Sequence, residues 1–347
     1  MSTELRQRTT NGAASVNSGV VDPVDVPLNL PTIFDPVSLT RKGLCPVTKI
    51  RHQEEPLESH SLYFEQHGTG PEKVVFIMGL NSSSFSWAPQ VAHFGRDPQY
   101  SILVFDNRGV GNSGTPRGPY STSGMAEDVV ALLDYIGWTN ERDLHVVGIS
   151  LGGMIAQELA AHIPERIVSL TLAVTTPGGY PWNNTPPLKG TLSLARLTFT
   201  ADVEKKLPTV LEMVMPTPWL HAKAENDPEG RTNFEIQKEH YRRRILSTRP
   251  QKLIGTFSQM YAALGHYVSP ERLARISSSI PKVLILTGDE DNLVRTSNSH
   301  YLKANMPEAE LVVWEQTGHA LHIQRQEMFN KLLERVFAEG REKSQQA

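Results

Sequence analysis

The sequence predicts an α/β protein built on a mostly parallel sheet with helices on its faces. Short apolar runs that read as buried strands alternate with segments of helical periodicity, and this alternation is typical of parallel sheets. The pentapeptide Gly-Ile-Ser-Leu-Gly at 148–152 separates one such strand from a helical segment. Two later strands lead into loops that carry an acidic cluster and a histidine. Loops that follow parallel strands meet at one edge of the sheet, so we expect these groups there.

Each element of this sheet is predicted from a local signal. An antiparallel pair is expected near residues 61–65, at the sheet edge, and further strands at 73–77, 101–105, 144–147, 169–174, 282–287 and 311–314. The spacing of Val129, Leu132 and Leu133 predicts a helix over 125–136, and another is expected over 154–162. The alternation stops after residue 176 and returns near residue 281. This interruption predicts an inserted helical cap.

These patterns divide the chain into four segments. A disordered or loosely docked leader is expected over 1–46, because this stretch is rich in Pro, Val, Asn and Thr without clear periodicity. The aliphatic segments of this leader could instead dock on the folded core. The first part of the core is expected over 47–176, the cap insertion over 177–275 and the second part of the core over 276–340.

Composition narrows the class of protein. The formal net charge of −3 over 347 residues provides no overall electrostatic footprint for nucleic acid or an anionic membrane. The single cysteine, Cys45, excludes an intramolecular disulfide, and we expect neither a signal peptide nor a membrane-spanning apolar stretch. The histidines lack paired metal-ligand spacing, and no glycine-rich phosphate cradle is seen. We therefore expect a cytoplasmic protein that needs no metal or cofactor and binds no nucleic acid.

Ser150 is the candidate nucleophile. A serine on a tight strand-to-helix turn needs small neighbours two residues before and after it, and glycine stands at both positions. Such a turn also directs the backbone N–H of Leu151 toward any oxyanion formed at the serine. The alternative for an isolated match of this length is an ordinary Gly-Ser turn between a strand and a helix.

A serine nucleophile requires a histidine base and an acid that orients it. Asp291 follows the strand at 282–287, and His319 follows the strand at 311–314. The chain order serine, acid, histidine is thus satisfied. Asp289 and Glu290 are alternative acids. The acidic residues of this loop that do not orient the histidine are most simply interpreted as solvated loop charges.

On these residues and their order, the chain resembles the α/β-hydrolase superfamily over roughly residues 61–337. The resemblance implies the α/β-hydrolase fold with an inserted helical cap and a triad of Ser150, Asp291 and His319. It also implies that the backbone N–H of Leu80 pairs with that of Leu151 to hold the oxyanion. The chain departs from the family where Met78 stands in place of the usual histidine before Gly79.

Several other residues admit a functional or a structural interpretation. Asp106 and Arg108 are expected to brace a turn, and His322 is expected to pack against a helix or face solvent. His266 could touch substrate, but the simpler interpretation is a structural histidine whose hydrogen bonds are satisfied. Together with Gln259 and Ala262, it resembles a segment that recurs in the family where the cap rejoins the core. An apolar acyl pocket could be lined by Met78, Met213, Met215 and Trp219, although such residues more often pack against the body.

The function favoured by these residues is hydrolysis of a small to medium carboxylic ester through an acyl-enzyme. The expected partners are a small-molecule ester and water, and the oligomeric state is left open. Lipase, thioesterase, lactonase or carbon–carbon hydrolase activity on the same triad remains open, because one scaffold supports many reactions. A ligand receptor with slow turnover is the alternative from another class.

Overall fold

The computed structural model describes residues 30–47, 59–179, 184–200, 202–225 and 227–346. Its centre is an eight-stranded sheet with the strand order β1-β2-β4-β3-β5-β6-β7-β8. The strands are β1 Leu39–Val47, β2 His60–His67, β3 Glu72–Ile77, β4 Tyr100–Phe105, β5 Leu144–Ile149, β6 Ile167–Ala173, β7 Lys282–Gly288 and β8 Glu310–Trp314.

Strands β3 to β8 run parallel, and β1 and β2 pair antiparallel at one edge. Every residue of β5, β6 and β7 is buried, which matches the continuous apolar runs expected for strands covered on both faces. The predicted fold class, a mostly parallel sheet flanked by helices, is confirmed.

Helices cover both faces of this sheet. Residues of α2 and α3 join one apolar cluster with the sheet, and residues of α1 and α12 join a second cluster on the opposite face. The helices are α1 Ala88–Phe94, α2 Thr122–Tyr135, α3 Leu151–His162, α4 Leu188–Phe199, α5 Val203–Val214, α6 Thr217–His221, α7 Asn233–Leu246, α8 Leu253–Leu264, α9 Pro270–Ser279, α10 Thr296–Asn305, α11 Leu321–Gln324 and α12 Gln326–Gln346. Among the described residues, no helix combines the length and apolar character needed to cross a membrane.

The ordered core begins earlier in the chain than the predicted boundary at residue 47. The whole of β1 lies before or at that boundary and pairs with β2 along its length. Cys45 and Val47 are buried in the core, and the Phe34 ring packs edge-on against Phe85 at 5.3 Å between centroids. The leader predicted over 1–46 therefore includes a strand of the sheet, because its apolar side chains reach the core. Residues 1–29 lie outside the described residues.

Helices α4 to α8 form the insertion between β6 and β7. The predicted end of the cap at residue 275 falls inside α9, which belongs with the core. Leu273 and Ile276 of α9 join the apolar cluster that contains α3, and Arg272 donates to Glu158 of α3 at 2.6 Å. The amphipathic character of α9 is satisfied by the core helices, so the insertion ends before this helix begins.

Candidate active site

Ser150 lies on a strained turn between β5 and α3. Its backbone has φ 56° and ψ −122°, a conformation that residues with a side chain rarely adopt. A Cβ built at Gly148 would lie 2.4 Å from the Gly152 carbonyl oxygen, and one built at Gly152 would lie 2.0 Å from the Ile77 carbonyl oxygen. Because these distances exclude any larger residue, the two glycines are what permits this turn.

Asp291 and His319 form a buried hydrogen-bonded pair. His319 Nδ1 lies 2.8 Å from Asp291 Oδ2, and because a carboxylate can only accept, the ring nitrogen is the donor. The other carboxylate oxygen accepts from the backbone N–H groups of Leu293 at 2.7 Å and Val294 at 2.9 Å. The Asp291 side chain is fully buried, whereas His319 retains a small exposed fraction. This arrangement holds the imidazole in one tautomer and leaves Nε2 as a proton acceptor.

The neighbouring acids are placed differently. Asp289 and Glu290 are exposed, and Asp289 accepts from the backbone N–H of Thr317 at 3.2 Å. That contact ties the two loops together without reaching the imidazole. The acid that the structure brings to His319 is therefore Asp291.

The sheet brings Ser150 to the same edge as this pair. Ser150 follows β5, Asp291 follows β7 and His319 follows β8, and these strands are parallel within one sheet. Their carboxyl ends therefore share one edge. Ser150 is anchored there by its neighbours, since its N–H donates to the Ala173 carbonyl at 2.9 Å and its carbonyl accepts from the Thr175 hydroxyl at 2.8 Å.

The loop after β3 passes directly beside Ser150. A Cβ built at Gly79 would lie 3.1 Å from the Ser150 Cβ, so the backbone of Leu80 follows the point of closest approach. Leu151 is the first residue of α3, where backbone N–H groups have no intrahelical partner. The backbone positions expected to supply two N–H groups thus both adjoin the serine turn.

Met78 does not lie on an open surface. Its side chain is buried in the apolar cluster that contains Phe85 and Trp87, and its carbonyl accepts from Asn107 Nδ2 at 2.9 Å. The structure therefore places this residue in the core packing beneath the loop.

Two of the predicted cap residues, Met215 and Trp219, pack beside the histidine loop. Met215 is buried in a small cluster with Ala320, and Trp219 packs against that cluster. The Ala320 N–H donates to the Val214 carbonyl at 2.9 Å, and Met213 is buried on the same helix, α5. The end of α5 thus supports the segment that carries His319.

Two glutamines of the cap hold the loop that follows Leu80. The buried Gln259 side chain accepts from the Asn81 N–H at 2.8 Å and donates to the Arg108 carbonyl at 2.8 Å. Gln251 donates to Asn81 Oδ1 at 2.8 Å and to the Gly109 carbonyl at 3.0 Å. No pattern in the sequence predicted these contacts. The resemblance singled out Gln259, but no local pattern indicated Gln251.

Asp106 and Arg108 brace the loops beneath the site. Asp106 accepts from the N–H and hydroxyl of Ser84 at 2.7 and 2.8 Å and from the Asn112 N–H at 2.7 Å. Burial raises the pKa of this carboxyl to about 6 despite these bonds. Arg108 makes a bidentate contact with Asp128, with distances of 2.6 and 2.7 Å. These contacts fit the interpretation of both residues as turn supports.

The remaining candidate histidines are buried away from solvent. His266 Nδ1 lies 2.9 Å from the Thr122 hydroxyl, and burial lowers the pKa of His266 to about 3. His322 packs against Trp87, with ring centroids 4.9 Å apart, and burial lowers its pKa to about 3 as well. Both rings are therefore neutral at physiological pH. Within the described part of the chain, no group of three or more His, Cys, Asp or Glu side chains could hold a metal ion.

Comparisons with known proteins agree with this architecture. The sequence model of the alpha/beta hydrolase fold matches residues 73–326. A poly(3-hydroxyalkanoate) depolymerase from Ectopseudomonas oleovorans is 28% identical over 249 residues, which cover 72% of this chain and 78% of the relative. A 3-oxoadipate enol-lactonase from Acinetobacter baylyi is 26% identical over 273 residues, which cover 76% and 87%.

A solved structure shows the same fold. The esterase from Thermogutta terrifontis superposes with a TM-score of 0.65 at 20% identity, over 87% of this chain and 99% of the esterase. The predicted α/β-hydrolase fold is thus confirmed by sequence model and by structure. Because the sequence model matches most of the sheet and the loops that carry the candidate site, the chain belongs to the α/β-hydrolase family.

Proposed function

We propose that the chain is a serine hydrolase that cleaves carboxylic esters with Ser150, His319 and Asp291. The observation that carries this proposal is the buried 2.8 Å contact between His319 and Asp291, at the sheet edge where Ser150 lies on a strained turn. An oriented imidazole at the same sheet edge as a serine hydroxyl is the arrangement that acyl transfer needs.

In this mechanism His319 Nε2 takes the proton of the Ser150 hydroxyl as its oxygen attacks the ester carbonyl. Asp291 orients the ring and stabilises the imidazolium that forms. The backbone N–H groups of Leu80 and Leu151 hold the oxyanion, and a donor of this kind contributes about 3 kcal/mol of transition-state stabilisation. The alcohol leaves with the proton from His319, and water, activated by the same ring, then cleaves the acyl-enzyme.

The relatives support an ester-like linkage as the substrate class. One is named for a poly(3-hydroxyalkanoate) and another for an enol-lactone, and both kinds of compound contain ester bonds. Met215 and Trp219 pack with Ala320 beside the histidine loop, and such apolar side chains suit an acyl group that is apolar near the carbonyl. Lactones and thioesters use the same steps, so they belong in the substrate panel.

The experiment is active-site labelling of the full chain with a fluorophosphonate, followed by mass spectrometry of the labelled peptide. Ser150→Ala, matched by Ser82→Ala in the neighbouring loop, is the control pair. Labelling confined to Ser150 and lost in Ser150→Ala is the expected result. A folded wild type that stays unlabelled, or a label on another serine, would overturn the mechanism.

A panel of soluble nitrophenyl esters, thioesters and lactones, with products identified, then defines the reaction. Release of acid and alcohol in multiple turnovers is expected for an esterase. Tight retention of ligand with at most one turnover would instead identify a receptor.

A further inference from the structure

Helix α8 carries its large apolar side chains on the outside. The residues that it buries are small or polar: Gly255, Ser258, Gln259 and Ala262. Its exposed residues are large and apolar: Leu253, Ile254, Phe257, Tyr261 and Leu264, with Leu253 72% and Tyr261 61% exposed. A surface helix of a globular protein normally has the opposite arrangement. The outer face of α8 therefore has the composition of a contact surface.

Helix α4, the first helix of the insertion, also exposes apolar side chains. Leu188, Leu192 and Phe199 are exposed, and Phe199 is exposed by 89%. The segment that leads into α4 adjoins the end of α8, because Asn184 Nδ2 donates to the Leu264 carbonyl at 3.1 Å. The exposed side chains of the two helices are here called the cap apolar face: Leu188, Leu192, Phe199, Leu253, Ile254, Phe257, Tyr261 and Leu264.

Both helices rest with their inner sides on loops of the candidate site. A Cβ built at Gly190 of α4 would lie 1.9 Å from the carbonyl oxygen of Asn292, the neighbour of Asp291. On α8, Gln259 contacts Asn81, the neighbour of Leu80. The cap apolar face is therefore the outer surface of the two helices that flank the site loops.

The charges on these helices have one sign. Lys189 and Arg196 on α4, and Arg249 and Lys252 before α8, are exposed, and residues 184–200 and 246–268 contain no Asp or Glu. The ion pairs that flank α8 in the sequence are formed by other basic residues, Arg242 with Glu204 and Arg272 with Glu158. The net charge of −3 for the whole chain thus conceals a local segregation of basic side chains around apolar ones.

We propose that the cap apolar face docks on a lipid bilayer that contains anionic headgroups. Apolar side chains that enter the boundary between headgroups and acyl chains, combined with lysines and arginines attracted to anionic lipids, are the features of peripheral membrane binding. A second copy of the chain fits this face less well, because a twofold contact would bring the same basic residues against each other. Docking does not depend on the roles proposed for Ser150, Asp291 and His319.

The test is flotation of the full chain with phosphatidylcholine vesicles, with or without phosphatidylglycerol. The apolar variant is Leu253→Ser with Phe257→Ser, and the charge variant is Arg249→Glu with Lys252→Glu. The matched control, Val37→Ser with Met328→Ser, removes exposed apolar side chains outside the cap. All substituted residues are exposed, so each protein is expected to fold, and thermal unfolding checks this.

Wild type and control should bind the anionic vesicles and bind the zwitterionic ones much less. The apolar and charge variants should each lose at least about tenfold in affinity for anionic vesicles. Absence of wild-type binding, equal binding to both vesicle types, or an equal loss in the control would overturn the proposal. So would a wild-type dimer, seen by sedimentation, that the apolar variant dissociates.

Turnover of a small soluble ester should be the same in all of these variants. Failure of docking therefore leaves the labelling of Ser150 unaffected, and failure of labelling leaves vesicle binding intact.

Discussion

Gln259 accepts a hydrogen bond from the backbone N–H of Asn81 at 2.8 Å, across 178 residues of sequence. Asn81 has a positive φ of 53°, a conformation that costs free energy unless its surroundings stabilise it. The same glutamine donates to the Arg108 carbonyl, so one cap side chain connects two loops of the core. The backbone of Leu80, a proposed oxyanion donor, is thus held in place from the cap.

Replacing Gln259 with Met should impair turnover more than substrate binding. Methionine has a similar volume but leaves the Asn81 N–H and the Arg108 carbonyl unpaired, which costs on the order of 1–3 kcal/mol of stability. If the loop relaxes, the Leu80 N–H loses its alignment, and kcat should fall about tenfold with little change in KM. Steady-state kinetics on a soluble ester, beside thermal unfolding, measures both effects.

Gln90→Met provides the matched control for that variant. Gln90 is equally buried but donates to the His322 carbonyl at 2.9 Å and to Asn330 at 3.1 Å, and so does not hold the Asn81 loop. It should lose stability while keeping kcat. Equal losses of kcat in the two variants would show that Gln259 has only a general structural role.

Asp291→Asn should reduce kcat by about 10³–10⁴, because the amide no longer holds the imidazole in its tautomer or stabilises its cationic form. Asp289→Asn should change kcat by less than about threefold, since that side chain accepts from the Thr317 N–H and does not reach His319. Steady-state rates of the two variants on the same ester decide between the acids. Comparable losses would contradict the assignment of Asp291.

Gly79→Ala should lower activity while the protein still folds. The new Cβ would lie 3.1 Å from the Ser150 Cβ and 3.2 Å from the Ile149 carbonyl oxygen, so the loop must move by a few tenths of an ångström. A displacement of this kind beside the nucleophile should cost about tenfold in kcat. Gly124→Ala is the control, because its nearest neighbour is the rotatable Ser121 hydroxyl at 3.2 Å. A fully active Gly79→Ala would mean that this approach is not critical.

His266 should make the fold sensitive to acid. Burial lowers its pKa from 6.5 to about 3, so below pH 6.5 the unfolded chain binds a proton that the folded chain does not. Stability is therefore unaffected above about pH 7 and falls as the pH drops from 6.5 toward 3, by up to about 1.4 kcal/mol per pH unit. His266→Asn can retain the contact with Thr122 and should remove this contribution.

Urea unfolding of wild type and His266→Asn at pH 7.5 and pH 5 measures the difference. The wild type should lose about 2 kcal/mol more than the variant between these two conditions. An identical loss in both proteins would contradict the buried, neutral state of this ring.

Much of the fold follows from local patterns in the sequence. The parallel strands were predictable because they are continuous apolar runs, and the serine turn because glycine at 148 and 152 is a steric requirement of the chain itself. The edge strand β1 was not predicted, since its run of Leu39 to Val47 has mixed polarity and its stability comes from pairing with β2.

The sequence by itself determined the fold class, the turn at Ser150 and the order of the candidate residues, because these depend on side-chain periodicity and backbone sterics within a few residues. Only the tertiary structure decided that Asp291 rather than Asp289 reaches His319, that Met78 packs in the core and that Gln259 holds Asn81. Each of those contacts joins segments far apart in the chain, and their geometry depends on how the sheet and the cap pack. The outward apolar face of α8 was also decided by the tertiary structure. Periodicity reveals an apolar stripe on a helix, but only packing shows which side of the helix meets the core.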